Sequence, residues 1–191
     1  MRAELSLFDG TGERKYLCAR ELPRFLDASG QADGETDAFC RLLAYTGCRI
    51  SEALALTPRR LDPETGRVVF RTLKRRQQMF RAVPVPSELM QALRHIAARR
   101  TKDAPLWSWS RPTAWRRVKQ VMEAAGIEGA HAMPKGLRHG FGVANAEGGV
   151  PMATTQKWLG HAELETTAIY QQAVGLEERA FARRLWRSWR A

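Results

Sequence analysis

Apolar residues recur every three or four positions along most of this chain, a spacing that predicts amphipathic helices. Glycine, proline, serine and threonine interrupt the pattern at places where helices commonly begin or end. The helices are predicted at residues 19–28, before a C-cap at Gly47, at 50–56 with a stop at Pro58, after N-caps at Ser87 and Thr113, around Leu137, at 150–159, and at 176–189.

One stretch has a different pattern and predicts β-structure. Residues 68–70 and 79–85 are short, mainly apolar runs separated by a basic turn. Pro84 and Pro86 lack the backbone N–H that a central strand uses, so they fit only an edge strand or a strand end. The predicted fold class is therefore mainly α with a small antiparallel β-hairpin, an α+β arrangement.

Three apolar stripes predict which helix faces are buried. Gly126 is predicted to end the helix whose stripe begins at Trp115. The stripe of the C-terminal helix either completes the core of the chain itself or docks into a neighbouring copy. The stripes consist of Trp115, Val118, Met122 and Ala125, then Leu137, Phe141 and Ala144, then Phe181, Leu185 and Trp189.

Composition narrows the class of protein. The 191 residues carry 31 Lys and Arg against 20 Asp and Glu, a net charge of +11. So basic a domain usually meets a polyanion, first of all nucleic acid, with an anionic membrane surface or a ribosomal partner as alternatives. No apolar run is long enough to span a membrane, and the three cysteines show no CxxC pairing, which is typical of reduced cytosolic thiols.

Several polar residues stand out, although each has an ordinary explanation when taken alone. Arg49 follows a predicted helix end, where it can simply pair with Glu52. Lys74 lies in the hairpin turn, where basic residues often contact phosphates without reacting. His161 follows a predicted helix end and Tyr170 lies in a helical stretch, and in such places capping and packing are the common roles.

Three potential cations share one face of a predicted helix. Lys135, Arg138 and His139 fall within one arc, away from the apolar face of Leu137. They repel one another unless an anion lies between them. A solvated basic face is the ordinary alternative.

Together these side chains are what phosphodiester cleavage without a metal requires. A tyrosine can serve as nucleophile and keep the energy of the broken bond in a covalent phosphotyrosine. Its phenol is only about 0.1% ionised at pH 7, so a base and positive charge are needed nearby. Arginines bind phosphate bidentately, and a lysine can protonate the leaving oxygen. A nuclease dependent on Mg²⁺ needs clustered carboxylates, but the only adjacent acidic pair is Glu177–Glu178, so no metal and no cofactor are expected.

Four stretches, in this order, resemble the catalytic domain of the tyrosine recombinases, the phage integrase family. They are AYTGCRISEALALT, TLKRRQQMFRAVPVP, PKGLRHGFG and WLGHAELETTAIYQQ, and they extend over about residues 36–175. The ordered combination is far more specific than any single motif. The resemblance implies the tyrosine recombinase catalytic-domain fold.

The resemblance also implies a role for five matching residues. Arg49 and Arg138 would clamp the scissile phosphate, and Lys74 would be the general acid. His161 would hydrogen-bond the phosphate or assist proton transfer. Tyr170 would attack, giving a 3′-phosphotyrosyl link and a free 5′-hydroxyl.

Other matching residues are expected to support these five. Glu52 would hold the first arginine, and Arg75 and Arg76 are alternatives to the general-acid lysine or contacts to DNA phosphates. Lys135 stands where the family most often has histidine. Lysine also occurs there and is included with the catalytic residues, but it is a poor base at pH 7. His139 is a common neighbour in the motif and is given only a supporting place, so the group that takes the tyrosine's proton stays open.

The predicted domains are a short N-terminal segment, residues 1–35, and a catalytic domain, residues 36–191, that ends in the helix at 176–189. Most relatives have an additional N-terminal helical domain that closes a clamp around DNA. The short segment predicts either a truncated chain or a member with a catalytic domain only, such as the fimbrial-switch invertases. Without a clamp, weak and salt-sensitive DNA binding is expected.

The predicted function is site-specific recombination of DNA, as integration, excision, inversion or resolution. One alternative is a type IB topoisomerase-like enzyme that nicks and reseals, and another is a DNA-binding regulator that keeps the fold without cutting. The expected partners are double-stranded DNA and further copies of the chain, as a dimer or tetramer on DNA, with the C-terminal helix as the candidate contact. No membrane partner is expected, and the predicted location is the nucleoid in the cytoplasm, as for proteins of prokaryotes and mobile elements.

Overall fold

The computed structural model describes residues 6–72, 79–161 and 165–172, and then residues 182–183, 185–187 and 189. Between residues 6 and 172 the described residues form eight α-helices and one antiparallel sheet of three short strands, so the predicted fold class is confirmed. Residues 182–183 and 185–187 are helical as well. None of the described helices is both long and apolar enough to cross a membrane. The helices are α1 (Glu21–Ser29), α2 (Gly34–Thr46), α3 (Ile50–Leu54), α4 (Ser87–Ala97), α5 (Arg111–Ala124), α6 (Pro134–Glu147), α7 (Met152–Leu159) and α8 (Glu165–Ala168); the strands are β1 (Leu61–Asp62), β2 (Arg67–Thr72) and β3 (Met79–Pro84); and 3-10 turns lie at Pro58–Arg60 and Ile169–Gln172.

The first three helices lie close to their predicted positions. Asp33 caps the N-terminus of α2, because its carboxylate accepts the backbone N–H of Thr36 at 3.0 Å. At the other end Gly47 has φ +58° and donates its N–H to the carbonyl of Leu43 at 3.0 Å, so the predicted C-cap is confirmed. This turn leads directly into α3, which ends at Leu54, slightly earlier than predicted.

The sheet has the order β1-β2-β3, and both pairings are antiparallel. Val68 of β2 lies opposite Val83 of β3, and both side chains are buried. β3 is an edge strand that ends at Pro84, as predicted. The sequence did not predict β1, because two residues are too few to show the alternation that identifies a strand.

Two predicted N-caps are wrong by a few residues. α4 begins at Ser87 itself, and Pro86 is its N-cap residue. Ser110, rather than Thr113, caps α5, since its hydroxyl accepts the backbone N–H of Thr113 at 3.2 Å. Serine and threonine are both good N-caps, so the choice between them depends on where the preceding loop ends.

One position on the predicted apolar stripe of α5 and one on that of α6 are exposed. Trp115 is 42% exposed, whereas Val118 and Met122 on the same helix are buried as predicted. Ala144 of α6 is also exposed, and Val143 is buried in its place. Both helices therefore bury a face that is rotated slightly from the predicted one.

The main core is formed by α1, α2, α3, α4, α5, the sheet and the start of α6. Phe39 is at its centre, with its ring edge-on to Trp107 at 5.0 Å between centroids. Phe25 of α1 is fully buried in the same core, so part of the predicted segment 1–35 packs with the body; the boundary at residue 36 stays a prediction. The largest fully buried side chains of the main core are Trp107, Phe25, Phe39, Phe70, Leu42, Leu43, Leu56, Leu89, Leu93 and Leu106.

A second and smaller set of buried side chains surrounds Tyr170. This tyrosine cluster consists of Leu7, Val143, Leu159, Ile169 and Tyr170. Its members come from the N-terminal segment, α6, α7 and the last 3-10 turn. The sequence therefore brings four separate segments together at Tyr170.

The predicted C-terminal helix at 176–189 lies mostly outside the described residues, and so does Phe181. Leu185, Trp186 and Trp189 are described, and they are 51%, 51% and 69% exposed. These three side chains therefore do not complete the core of the chain.

Candidate active site

Arg49 lies at the turn between α2 and α3, where it is the N-cap residue of α3. The Glu52 carboxylate accepts the backbone N–H of Arg49 at 2.8 Å and its guanidinium Nη1 at 3.1 Å. The Glu52 side chain is fully buried, but the Arg49 side chain is 32% exposed. The guanidinium is therefore anchored on one side and accessible to an anion on the other.

Arg138 is buried in α6 and reaches two helix ends. Its Nη1 donates to the carbonyl of Gly47 at 2.7 Å, and its Nη2 donates to the carbonyl of Leu159 at 2.8 Å. These carbonyls belong to the C-terminal ends of α2 and α7, where the helix dipole favours a cation. A guanidinium has five N–H groups, so these two hydrogen bonds leave three N–H groups of Arg138 that a ligand could use.

Arg81 of β3 forms a buried ion pair that the sequence did not predict. Its Nη1 and Nη2 donate to the two carboxylate oxygens of Glu52 at 3.0 and 2.7 Å, and its Nε donates to the carbonyl of Trp158 at 2.7 Å. Burial alone would raise the pKa of Glu52, but the hydrogen bonds and charge of Arg81, with help from Arg49, hold that pKa below its usual value. Glu52 is therefore a carboxylate that fixes two arginines at once.

A signal for Arg81 was present in the sequence. Side chains two apart on a strand share a face, so Arg81 lies on the same face as Val83, whose side chain is buried. An arginine on the buried face of a strand needs a buried partner. That partner, Glu52, comes from a distant segment, and the alternation alone does not name it.

Both buried arginines bind the C-terminal end of α7. Arg81 and Arg138 each donate to a carbonyl in its last turn. Gly160 follows with φ +65°, and a Cβ at this position would lie 3.1 Å from the guanidinium of Arg81. Glycine thus meets two requirements here, and the helix end places His161 directly after it.

His161 contacts both α8 and the tyrosine. Its Nδ1 is 2.9 Å from the hydroxyl of Thr167. Its ring lies nearly parallel to that of Tyr170, with planes 18° apart and centroids 6.2 Å apart. Nε2 is therefore the ring nitrogen of His161 that Thr167 does not engage.

Tyr170 is only 2% exposed and docks against α6. Its hydroxyl is 3.2 Å from Nδ1 of His139. Gly142 makes room for its ring, because a Cβ at this position would lie 2.4 Å from ring carbons. Tyr170 is thus held by His139, Gly142 and His161.

The arginines and the tyrosine influence one another's protonation. Burial raises the pKa of Tyr170 to about 12, although the positive charges of Arg138 and Arg49 act in the opposite direction. Burial and the charge of Arg49 lower the pKa of Arg138 to about 10, which still leaves it a cation at pH 7. The phenol is therefore neutral and lies in the field of two cations.

Both histidines near the tyrosine are neutral at pH 7. Burial, followed by the charges of Arg138 and Arg49, lowers the pKa of His161 to about 3. Burial, followed by the charges of Lys135 and Arg138, lowers the pKa of His139 to about 4. A neutral imidazole has one nitrogen that donates and one that accepts, so each ring can do both.

The structure brings most of the predicted site residues together. Lys74, Arg75 and Arg76 lie outside the described residues, and Lys135 is exposed near the start of α6. The alternative of a solvated basic face on this helix is wrong for Arg138 and His139, since each is 8% exposed. Within the described ranges, no three His, Cys, Asp or Glu side chains lie close enough to hold a metal ion. The connected set consists of Arg49, Glu52, Arg81, Arg138, His139, His161 and Tyr170.

Comparison with known proteins agrees with this fold. The model of the phage integrase family matches residues 15–175. Tyrosine recombinase XerA of Pyrococcus furiosus is 32% identical over 167 residues, which cover 82% of this chain and 56% of that protein. Tyrosine recombinase XerD of Mycobacterium tuberculosis is 33% identical over 180 residues, which cover 87% of this chain and 53% of that protein. The chain thus spans about half the length of the curated relatives it matches.

Solved structures show the same architecture. The crystal structure of XerA recombinase has a TM-score of 0.72 at 25% identity, covering 92% of this chain and 65% of that one. XerH recombinase in a post-cleavage complex with palindromic difH substrate has a TM-score of 0.80 at 18% identity, covering 94% and 62%. The catalytic domain of bacteriophage HP1 integrase has a TM-score of 0.66 at 23% identity, covering 88% of this chain and 94% of that one. The similarities to XerH recombinase and to HP1 integrase concern the fold alone. The family match over most of the chain, together with these relatives, shows that the chain belongs to the phage integrase family.

Proposed function

We propose that this chain is a tyrosine site-specific recombinase, which cleaves and rejoins double-stranded DNA through a covalent 3′-phosphotyrosine. The observation that carries the proposal is the position of Tyr170 in the field of Arg49 and Arg138. These three residues lie far apart in the sequence and come from separate elements. A buried tyrosine that only packs has no need of two such cations.

The two arginines would bind the non-bridging oxygens of the scissile phosphate. Arg138 has three N–H donors beyond its two bonds to helix ends, and Arg49 is partly exposed beside it. Guanidinium groups hold phosphate with strong, directed hydrogen bonds. They would supply the positive charge that metal ions provide at other phosphoryl-transfer sites.

His161 would donate a third hydrogen bond to the phosphate. When the Thr167 hydroxyl donates to Nδ1 of His161, the ring proton is on Nε2. That proton then points away from Thr167 and can reach a phosphate oxygen. The lowered pKa means that the ring acts as a neutral donor rather than as a cation.

Tyr170 would attack the phosphorus, and a 5′-oxygen would leave. Lys74 is proposed to protonate this leaving oxygen, with Arg75 or Arg76 as substitutes or as DNA phosphate contacts. Lys135 is exposed near the buried arginine and is proposed to contact the same DNA phosphate. Glu52 would keep Arg49 in place, because it forms one ion pair with Arg49 and another with the buried Arg81.

The proposed partners are double-stranded DNA and further copies of the chain. A net charge of +11 suits the phosphate backbone of DNA, and such a protein would work at the nucleoid in the cytoplasm. We also propose self-association on DNA as a dimer or tetramer. The exposed Leu185, Trp186 and Trp189 support the C-terminal helix as the contact, because exposed aromatic clusters are typical of interfaces.

The experiment is covalent capture. The chain is incubated with a pool of nicked duplexes that carry a randomised site, and denaturant-resistant adducts are isolated. We expect an adduct whose nucleotide is linked to the peptide that contains Tyr170, together with a free 5′-hydroxyl end. The captured duplex is then tested for exchange between two differently labelled DNAs. Failure to capture any duplex contradicts the proposal, and resealing without exchange would favour a topoisomerase-like activity instead.

A further inference from the structure

We propose that His139 is a catalytic residue: its Nδ1 takes the proton of Tyr170 Oη as the tyrosine attacks, and returns it when the tyrosine leaves. The proposal rests on the function proposed above. The sequence motif gave His139 only a supporting place. The structure places it in contact with the oxygen that reacts.

The geometry of α6 suits this role. Nδ1 of His139 is 3.2 Å from Oη of Tyr170, and no other hydrogen bond to Oη forms among the described residues. Gly142 lies three positions further along α6, on the same face of the helix. Its missing Cβ admits the tyrosine ring. α6 therefore presents a proton acceptor beside a socket for the ring.

The other candidate bases are engaged elsewhere. His161 faces the flat side of the phenol ring, and its Nδ1 contacts Thr167. Two guanidinium groups bind the buried carboxylate of Glu52. Lys135 is exposed, and its ammonium group has no lone pair with which to accept a proton. Among these residues, only His139 offers a lone pair to Oη.

A histidine with a purely structural role would be an unfavourable choice at this position. His139 is 8% exposed, and its Nε2 is buried without a hydrogen-bond partner among the described residues. A buried polar atom that lacks a partner destabilises a fold, whereas an apolar side chain of similar shape has no such atom. An unpaired polar group of this kind calls for an explanation, and catalysis is a common one.

The surroundings favour a reversible transfer. Burial, Lys135, Arg138 and Lys15 together lower the pKa of His139 to about 4, so the ring is neutral and able to accept a proton at pH 7. The same positive charges make the protonated ring unstable. The proton is therefore held only while Tyr170 is bonded to phosphorus and is given back when the tyrosine departs, as the reverse of the same step requires.

The step is balanced in atoms and electrons. In cleavage, the Oη–H bond of Tyr170 breaks, an N–H bond forms at Nδ1 of His139, Oη bonds to phosphorus, and the bond to the 5′-oxygen breaks. The leaving 5′-oxygen takes a different proton, from the general acid. In rejoining, the 5′-hydroxyl returns its proton to that group as it attacks, and Nδ1 protonates the departing Oη.

The test uses a duplex that the unchanged chain has selected by covalent capture. His139→Asn puts an amide oxygen near the position of Nδ1, so it keeps a hydrogen-bond acceptor but cannot take the proton. We expect adduct formation at saturating DNA to slow by about 10²- to 10⁴-fold, the usual contribution of a general base. A fluorinated tyrosine at position 170, which loses its proton more easily, should restore much of the lost rate.

His95→Asn is the matched control, since His95 is exposed on α4, and it should react as the unchanged chain does. A His139→Asn chain that reacts at the unchanged rate overturns the proposal. So does a slow His139→Asn chain that the fluorinated tyrosine fails to rescue, because His139 would then only position the ring.

A second measurement decides the case in which His139→Asn does not fold. Tyrosines of graded acidity are placed at position 170 while His139 is kept. The rate should change little across this series if His139 takes the proton, and a steep rise with phenol acidity overturns the proposal. An unchanged chain that captures no duplex is a different result, because it contradicts the proposed function and removes this inference with it.

Discussion

The main core and the tyrosine cluster are both buried, but their side chains have different surroundings. Apolar side chains and ring contacts such as that of Phe39 with Trp107 fill the main core. The tyrosine cluster instead lies against buried polar and charged groups. Burial in the first region mainly stabilises the fold, whereas burial in the second also shifts the pKa values of Arg138, His139, His161 and Tyr170. These buried polar neighbours include Glu52, Arg81, Arg138, His139 and Thr167.

Removing a ring from the main core should destabilise the protein without changing its chemistry. Phe39→Ala should lower the free energy of unfolding by about 3–5 kcal/mol, because it leaves a cavity beside Trp107. Denaturant unfolding measures the loss, and the adduct rate of the folded fraction should be unchanged. Phe80→Ala is the matched control: Phe80 is 46% exposed, and its contact with Arg60 is worth at most about 1 kcal/mol. Equal losses in the two variants would contradict the distinction between the regions.

Removing the charge of Glu52 should affect both stability and chemistry. Glu52→Gln breaks the buried ion pair with Arg81, and breaking such a pair typically costs about 3–5 kcal/mol. Arg49 also loses its anchor, so adduct formation should fall. Glu35→Gln is the control, since its pair with Arg100 is partly exposed, with an N–O distance of 3.5 Å, and contributes at most about 1 kcal/mol. A Glu52→Gln chain of ordinary stability would show that this pair does not hold the site.

Filling the ring socket should impair chemistry more than stability. In Gly142→Ala, the added Cβ would lie 2.4 Å from the ring of Tyr170 and must displace it. Overpacking of this kind costs about 1–3 kcal/mol, and a displaced nucleophile can react about 10²-fold more slowly. Gly34→Ala is the control, because nothing lies within 4 Å of an added Cβ there. Normal adduct formation by Gly142→Ala would mean that the tyrosine does not react from this position.

The pH should have a smaller effect on the free energy of unfolding, through Glu21, which lies where the main core and the tyrosine cluster are joined. Glu21 at the start of α1 binds Arg14 of the N-terminal segment, which also supplies Leu7 to the tyrosine cluster. Burial alone would raise the pKa of Glu21, but the hydrogen bond from Arg14 and further hydrogen bonds lower it to about 2. Because this pKa is lower in the folded than in the unfolded chain, the ionised Glu21 stabilises the fold at pH values above 4.5, its pKa in the unfolded chain. This contribution is lost as the pH falls towards about 2.

Unfolding free energies of the unchanged chain and of Glu21→Gln, measured from neutral to acid pH, test this. The difference between the two should be largest near neutrality and should shrink as the pH drops below the unfolded value. A difference that stays constant with pH would contradict the assigned sign.

The sequence predicted the elements whose signals are local. Gly47 ends α2 as expected because a left-handed C-cap depends on one residue. β2 and β3 were found because their apolar runs flank a turn. The strand Leu61–Asp62 was missed because two residues carry no periodicity, and Trp115 was placed on the wrong face because a helical stripe does not show where its partner ends.

The candidate site was predicted in residue types but only partly in geometry. Motif order identified Arg138 and Tyr170, yet periodicity alone also allowed Arg138 a solvated face. It is buried because its partners are carbonyls 91 and 21 positions away along the chain, which no local pattern reveals. The contact between His139 and the tyrosine hydroxyl is also long-range, at 31 positions, and so was missed.

The most direct measurement compares Tyr170→Phe with the unchanged chain in two properties, the free energy of unfolding and the formation of the covalent adduct. The change removes one hydroxyl and its hydrogen bond to His139, so the free energy of unfolding should change by no more than about 1.5 kcal/mol. The covalent adduct with captured DNA should disappear completely. A Tyr170→Phe chain that still forms the adduct would contradict the account, because the nucleophile would then lie outside the tyrosine cluster.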